Sequence, residues 1–345
     1  MRGFGWIARP RIAPSARRTL YREGSASLLH FTRPAPEPEL RLRSGAGEAR
    51  AGAPPVLLVP SLINRWYVLD LRPGASLVES LLAAGLDVYL IDWGVPGDED
   101  RYVTWDDVLA RLARAVRRTL RAARAGRVSL VGYCMGGTLA AIHTALEPGQ
   151  IAGLVDLLGP VDFAHGGALR RMVDRRWFDA DAIAAAGNVS PHQMQAGFAA
   201  LRPTLDIGKL VGLVDLAAAD PAAREAFAAL ETWASDNIPF PAAAYRTYLA
   251  ELYQDNALAA GRHTALGRRV DLAAIGCPVL TIVAERDNIC PPSAALAINQ
   301  LVSSPQKDVL TVPGGHVGAV VGSRAPAAVH APLARWLGAL CDTSS

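Results

Sequence analysis

A cysteine, an aspartate and a histidine that could together perform nucleophilic catalysis occur in that order along the chain. Cys134 lies in the stretch VGYCMGG, after the apolar run RVSLVG and before the helix-forming run MGGTLAAIHTAL. A reactive side chain between glycines, where a strand turns sharply into a helix, is typical of a nucleophile elbow. Because this pattern usually presents a serine, the cysteine requires a chemical reason.

Other interpretations of this glycine-rich turn must be weighed. A dinucleotide-binding fingerprint requires glycine where Cys134 stands, and a phosphate-binding loop requires Gly-Lys-Ser or Gly-Lys-Thr, which is absent from the turn. A structural cysteine stays open as an alternative, because free cysteines often pack as small apolar residues. The motif alone favours a nucleophile over these alternatives.

Asp287 and His316 supply the acid and the base that such a nucleophile needs. Asp287 follows the apolar run PVLTIVAE, and His316 follows DVLTV within PGGHVG; they lie 153 residues after Cys134 and 29 residues after Asp287, respectively. Nucleophile, acid and histidine in this order, the last two after late strands, are typical of α/β hydrolases. Asp287 could instead be a turn or capping residue, and His316 an ordinary loop histidine.

An acyl-transfer site also needs hydrogen-bond donors for the negative oxygen that develops in the transition state. The backbone N–H of Met135, directly after the nucleophile, is one expected donor. The loop after the strand VLLVP is expected to provide the second, at Leu62 or at Ile63.

Short apolar runs predict the sheet that positions these residues. They carry apolar side chains on consecutive residues, which is typical of parallel strands covered by helices on both faces. Between two of these runs, Thr104 and Asp107 predict the capping box of a helix with its apolar stripe at Leu109, Leu112, Val116 and Leu120.

The predicted fold is therefore α/β, with a mostly parallel central sheet flanked by helices. Helical patterns without intervening strands predict a cap inserted over the carboxyl ends of the strands, where open α/β sheets bind ligands. The expected division is an N-terminal arm or linker at 1–50, a core at 51–163 and 270–345, and a helical cap at 164–269. Within the first part and just beyond it, the segment 34–55, rich in Pro, Gly, Ala and Arg, predicts a linker.

Composition restricts the possible partners. The 345 residues are 51% apolar and 19% charged, with a net charge of +3, which gives no reason to expect a nucleic-acid partner. The four cysteines show no metal-ligand or disulfide pattern, so no metal or cofactor is expected, and Cys277 and Cys290 are expected to be core residues. No apolar run is long enough for a transmembrane segment. A cytoplasmic protein is expected.

The first twenty residues contain five arginines and no acid. This loosely resembles a transit peptide, but Pro10 and Pro14 interrupt a continuous amphipathic helix. A loosely ordered basic arm is the favoured interpretation.

Several segments resemble the catalytic subunit of polyhydroxyalkanoate synthases, which are α/β hydrolases in fold, and especially the short type that works with a second subunit. They span roughly 21–337, nearly the whole chain. The segments are PSLINRWYVLDL, GLDVYLIDWGVPG, VSLVGYCMGGTLA, PVDF, IPFPAAAYRTYLAELYQDNAL, VDLAAIGCPVLTIVAERDNICPP and PGGHVGAVVG. The chain departs from the short type at its N-terminus, where that type usually has a longer helical lead.

The resemblance implies a Cys134, His316 and Asp287 triad that polymerises (3R)-3-hydroxyacyl groups, above all 3-hydroxybutyryl, from coenzyme A (CoA) thioesters. CoA is released, so the thioester is a substrate and not a cofactor. The implied partners are the growing polyester chain, the surface of a polymer granule, and either a second synthase subunit resembling PhaE or another copy of this chain. A cytoplasmic or granule-associated location follows from the same resemblance.

The thioester substrate gives a reason for the cysteine. A thiol that attacks a thioester forms another thioester, so the acyl group stays activated for the next transfer, whereas a serine would form an oxygen ester and lose much of that activation. Two other functions stay open at this point: a hydrolase of thioesters or esters that uses the same triad, and a non-catalytic homologue that binds granules or a partner subunit.

Overall fold

An eight-stranded sheet forms the centre of the protein. The computed structural model describes residues 10–32, 54–200 and 220–340. The strands, labelled β1 to β8 in chain order, are Arg17–Glu23, Ala26–Phe31, Val56–Val59, Val88–Asp92, Val128–Tyr133, Ile151–Leu157, Val279–Ala284 and Lys307–Val312. Their order across the sheet is β1-β2-β4-β3-β5-β6-β7-β8. The pairs from β4 to β8 are parallel, and only β1 and β2 pair in antiparallel fashion with their neighbours.

Burial explains why these segments form the inner strands. Every residue of β3, β5, β6 and β7 is buried, as their consecutive apolar side chains predict. β8 lies at the edge of the sheet and its burial is only partial. The predicted mostly parallel sheet between helices is confirmed.

Twelve α-helices surround the sheet in the described residues. In chain order, α1 to α12 are Leu77–Ala83, Trp105–Ala123, Met135–Leu146, Gly167–Met172, Ala180–Ala185, Pro191–Ala200, Pro221–Ser235, Ala242–Thr247, Pro292–Leu296, Ile298–Leu301, His316–Val321 and Ala331–Ala339. π-Helical turns follow at Tyr248–Gln254 and Pro326–His330, and 3-10 turns form at Trp66–Leu69, Asp98–Tyr102, Pro148–Gln150, Phe163–His165 and Leu272–Ala274. Two short antiparallel pairs join Asp70–Arg72 to Ala75–Ser76 and Thr264–Ala265 to Arg268–Arg269.

Helix α2 begins as its sequence predicts. The hydroxyl of Thr104 accepts a hydrogen bond from the backbone N–H of Asp107, and the Asp107 carboxylate accepts one from the backbone N–H of Thr104. These two bonds satisfy donors that the first turn of a helix leaves free. Leu109, Leu112 and Val116 are buried against the sheet, and Leu120 is partly buried.

The helices α4 to α8 lie between β6 and β7 in the chain, and residues of α4, α5, α6 and α8 line a cavity next to Cys134. Because Cys134 directly follows β5, this helical segment covers the carboxyl end of the sheet. The expected limits of the cap, 164–269, stay a prediction.

The expected N-terminal arm contains two strands of the sheet. β1 and β2 form an antiparallel pair, and β2 continues the sheet through β4. Residues 1–9 and nearly all of the predicted linker at 34–55 lie outside the described residues. Within residues 10–32, 54–200 and 220–340, no helix combines the length and the apolar character needed to cross a bilayer.

We predict that Gly136→Ala destabilises the protein, because α3 approaches the end of β3 too closely for a side chain. A Cβ at this position would lie 1.8 Å from the carbonyl oxygen of Val59. Overpacking of this kind costs about 1–3 kcal/mol or more. The free energy of unfolding, measured by urea denaturation followed through tryptophan fluorescence, should fall by this amount.

Gly149→Ala is the matched control, because nothing lies within 4 Å of a Cβ at that position. Equal free energies of unfolding for the two variants would contradict the prediction.

Candidate active site

Cys134 occupies a strained turn between β5 and α3. Its φ is 57° and its ψ is −127°, a backbone conformation that costs a residue with a side chain roughly 1–3 kcal/mol. The surrounding structure holds it there: its N–H donates to the carbonyl of Leu157 on β6, and its carbonyl accepts from the N–H of Gly137. A Cβ on Gly132 would lie 2.3 Å from the carbonyl oxygen of Gly136, so the turn can close only with glycine at 132.

His316 and Asp287 form a buried pair at the carboxyl ends of β7 and β8. The Nδ1 of His316 lies 2.7 Å from Oδ2 of Asp287. The side chain of Asp287 is fully buried, and its Oδ1 accepts hydrogen bonds from the backbone N–H groups of Ile289 and Cys290. Because both carboxylate oxygens have partners, the acid is fixed in position and orients the imidazole ring.

The charges around His316 favour its protonated form. Burial alone lowers the pKa of His316, but the negative charges of Cys134 and Asp287 outweigh burial and raise it from its ordinary value to about 10. The Nε2 of His316 lacks a hydrogen bond of standard geometry within the described part of the chain, yet Cys134 is near enough for its charge to act on the ring. Because Nδ1 is bound to Asp287, we expect Nε2 to be the nitrogen that exchanges a proton with the thiol, and this role stays a prediction.

The two expected oxyanion positions lie at this site. The backbone N–H of Met135 is in the first turn of α3, where the helix dipole favours negative charge. Met135 and Ile63 both line the cavity, whereas Leu62 is buried and is not among the described lining residues. Within the described residues, the Ile63 N–H donates a long hydrogen bond, 3.5 Å, to Oγ of Ser61. The assignment of Leu62 or Ile63 as second donor stays a prediction.

An apolar cavity of about 400 Å³ opens on Cys134. Most of its wall comes from the helical segment between β6 and β7, including Met172, Phe178 and Met194. Such a cavity can bind an acyl group and keep it away from bulk water.

Sequence reasoning missed most of this wall, including Tyr248, Tyr253 and Cys290. Tyr248 and Tyr253 belong to the π-helical turn after α8 and pack with their rings 5.4 Å apart. Cys290 lines the same cavity, and burial raises the pKa of its thiol, so it stays neutral. Cys290 is buried as expected of a core residue, but no local signal in the sequence indicates that it or the two tyrosines face the site.

Metal ligands were not expected from the sequence. Among the residues that the structure describes, no group of three or more His, Cys, Asp or Glu side chains is arranged to hold a metal ion.

The chain is similar to known proteins over most of its length. Residues 54–323 match the family described as the alpha/beta hydrolase fold. The chain is 34% identical to the poly(3-hydroxyalkanoate) polymerase subunit PhaC of Allochromatium vinosum, over 94% of this chain and 88% of that protein. It is 32% identical to the subunit of the same name from Thiocystis violacea, over 82% of this chain and 80% of that protein.

Solved structures with this fold have much lower sequence identity. The proline iminopeptidase of Mycobacterium smegmatis is 14% identical, with a TM-score of 0.50 over 96% of this chain and all of the other. At this identity the likeness shows the α/β-hydrolase fold and nothing about the reaction.

We predict that Cys134→Ala lowers the pKa of His316. The substitution removes a negative charge that raises this pKa, while the burial that lowers it remains. A histidine-selective NMR titration should therefore find that His316 loses its proton at a lower pH in the variant than in the native protein.

Cys277→Ala is the control, because no effect of Cys277 on the pKa of His316 is expected. A His316 titration that is the same in all three proteins would show that the thiol and the imidazole do not interact.

Proposed function

This chain belongs to the poly(3-hydroxyalkanoate) polymerases of the PhaC family, which share the α/β-hydrolase fold, and we propose that it builds its polyester through a covalent acyl group on Cys134. The observation that carries the proposal is the buried His316–Asp287 pair placed so that the charge of Cys134 acts on the imidazole. The substrates proposed are (3R)-3-hydroxyacyl-CoA thioesters, with 3-hydroxybutyryl-CoA as the first to test.

In the loading step, Nε2 of His316 takes the proton of the Cys134 thiol. The thiolate attacks the carbonyl carbon of the substrate thioester, and the oxyanion that forms is stabilised by the N–H of Met135 and by one from the loop at Leu62 and Ile63. The carbon–sulfur bond to CoA then breaks, and the CoA thiolate leaves with the proton from His316. One thioester is consumed and one is formed.

In the elongation step, a hydroxyl group attacks the acyl-cysteine. The hydroxyl comes from the end of the growing chain or from a bound hydroxyacyl unit, and His316, held by Asp287, takes its proton. A new ester bond forms, the bond to sulfur breaks, and Cys134 recovers its proton. Because a thioester is converted into an oxygen ester, this step runs downhill.

Water would be the competing acceptor in this second step. The apolar cavity over Cys134 supports the proposal because it offers water few hydrogen-bond partners. The helical cap must then open for substrate and polymer and close during transfer.

The proposal involves no metal or organic cofactor. A second PhaE-like subunit, a homodimer and a granule surface are the proposed partners, and the cytoplasm or the granule surface is the proposed location. Whether a second subunit is needed is best tested by assaying the chain alone and with a PhaE-type subunit.

We predict that Cys134→Ala abolishes CoA release from 3-hydroxybutyryl-CoA, because Cys134 carries the acyl chain in the proposed mechanism and burial keeps the other thiol of the cavity, Cys290, neutral. Thiol-reagent detection measures the CoA, and mass spectrometry of the quenched native protein should find a hydroxyacyl adduct on the peptide that contains Cys134. Cys277→Ala, the control, should release CoA at the native rate.

The products decide between the remaining functions. CoA release with insoluble polymer supports the polymerase, whereas release with free hydroxy acid alone supports a hydrolase. No release from the folded native chain, supplemented with a second subunit, would support a non-catalytic role. Retained release in Cys134→Ala would contradict the nucleophile assignment.

We predict that Met194→Gln increases the share of acyl groups lost to water. Met194 lines the cavity, and an amide there can hold water beside the acyl-cysteine. The ratio of free hydroxy acid to polymer, measured by chromatography, should rise several-fold. Glu225→Ala on the exposed side of α7 is the control, and an unchanged ratio in Met194→Gln would argue against water exclusion by this wall.

A further inference from the structure

The loop after β3 is fastened to the cap by a group of polar contacts that the mechanism above does not use. This loop contains Leu62 and Ile63, one of which is the proposed oxyanion donor. The contacts join the loop to the end of α7 and the two residues after it. We call this group the loop–cap clamp; its members are Asn64, Tyr67, Trp233, Asp236 and Asn237.

The distances in the clamp are those of well-formed hydrogen bonds. The hydroxyl of Tyr67 donates to Oδ2 of Asp236 at 2.7 Å, and the side-chain amide of Asn64 donates to Oδ1 of Asn237, also at 2.7 Å. The backbones of Asn64 and Asn237 form an isolated antiparallel bridge. The indole N–H of Trp233 donates to the carbonyl of Arg65 at 3.0 Å.

The clamp lies at the border of the buried core. Tyr67 and Trp233 are 5% and 6% exposed, and both belong to the apolar cluster that contains Cys134. The Asp236 side chain is 48% exposed, so it can be replaced without opening the core. Burial and the hydrogen bond to Asp236 raise the pKa of Tyr67, so its hydroxyl stays a donor.

The clamp lies next to cavity-lining residues both on the loop and on the cap. Ile63 precedes Asn64 by one residue, and Phe240 follows Asn237 by three; both line the cavity. A movement of the end of α7 would therefore move the loop at Leu62 and Ile63 together with the cavity wall. Misplacement of a catalytic group by about 1 Å can cost 100-fold in rate.

We propose that Tyr67 and Asp236 are positioning residues that set the backbone of the oxyanion loop when the cap is seated over Cys134. This proposal rests on the proposed acyl-cysteine function and deepens it, because it makes the oxyanion site dependent on the cap. A positioning role of this kind acts on the transition state and not on substrate binding. It should therefore lower kcat and kcat/KM by the same factor and leave KM unchanged.

The test compares Tyr67→Phe with Tyr21→Phe in CoA release from 3-hydroxybutyryl-CoA. Each substitution removes one hydroxyl that donates to a carboxylate, but Tyr21 donates to Glu23 on β1, on the antiparallel edge of the sheet. We expect kcat to fall about 10-fold in Tyr67→Phe with an unchanged KM, and to stay native in Tyr21→Phe. Native kcat in Tyr67→Phe, or an equal loss in both variants, would overturn the proposal.

Asp236 provides a second pair of variants that does not disturb the core. Asp236→Asn keeps an oxygen that can accept from Tyr67 and should retain most of kcat, whereas Asp236→Ala should lose about as much as Tyr67→Phe. Equal kcat in Asp236→Asn and Asp236→Ala would overturn the proposal even if Tyr67→Phe failed to fold.

The failure of this proposal can be told from that of the proposed function. Native kcat in Tyr67→Phe together with an inactive Cys134→Ala would refute the positioning role of the clamp and leave the acyl-cysteine function standing. Retained CoA release in Cys134→Ala would refute the proposed acyl-cysteine function, whatever the result for Tyr67→Phe.

Discussion

The backbone strain at Cys134 is the constraint on which the rest of the structure depends. A residue with a side chain adopts this conformation only when its surroundings leave no alternative. Here β6 binds the N–H of Cys134, the first turn of α3 binds its carbonyl, and glycines allow α3 to pack directly against the end of β3. The folding energy of the sheet thus holds one sulfur at the carboxyl end of β5, facing the cavity.

The electrostatics of the site depend on the hydrogen bonds that both carboxylate oxygens of Asp287 accept. One of its oxygens accepts hydrogen bonds from two backbone N–H groups and the other from Nδ1 of His316, so both oxygens have partners within the protein. That fixed charge offsets the burial of the imidazole and lets His316 hold a proton beside the thiol. A neutral thiol at Cys290 in the same wall adds no competing charge. This arrangement supports the proposed transfer of a proton from Cys134 to His316.

Local patterns in the sequence were enough to predict the sheet and to identify Cys134, Asp287 and His316 as candidate catalytic residues, but not to predict the walls of the site. Consecutive apolar residues identify β3 to β7, and the capping box identifies α2, because each depends only on near neighbours in the chain. The place of Tyr248 and Tyr253 in the cavity, and the bond from Tyr67 to Asp236, depend on residues far apart in sequence. The mixed polar pattern of β1 reflects the edge of the sheet, where burial is weak, so it favours an arm over a strand; β2, next to it, is mostly buried. The roles proposed for Cys134, Asp287 and His316 stay predictions.

Correct orientation of the attacking hydroxyl is not enough to favour polymerisation over hydrolysis in this fold. Exclusion of water by the cap must provide the remaining preference. A well-placed hydroxyl can have an effective concentration of about 10⁵ M or more, far above that of any solvent. However, a water molecule admitted to the same position would be activated by the same imidazole and would gain the same advantage. Under the proposed mechanism, the apolar wall would therefore select chain growth over hydrolysis, because it offers little to bind water. A cap that also holds the oxyanion loop in place would make the acyl-cysteine reactive only when the cap is closed. An open site would then admit water but would react slowly.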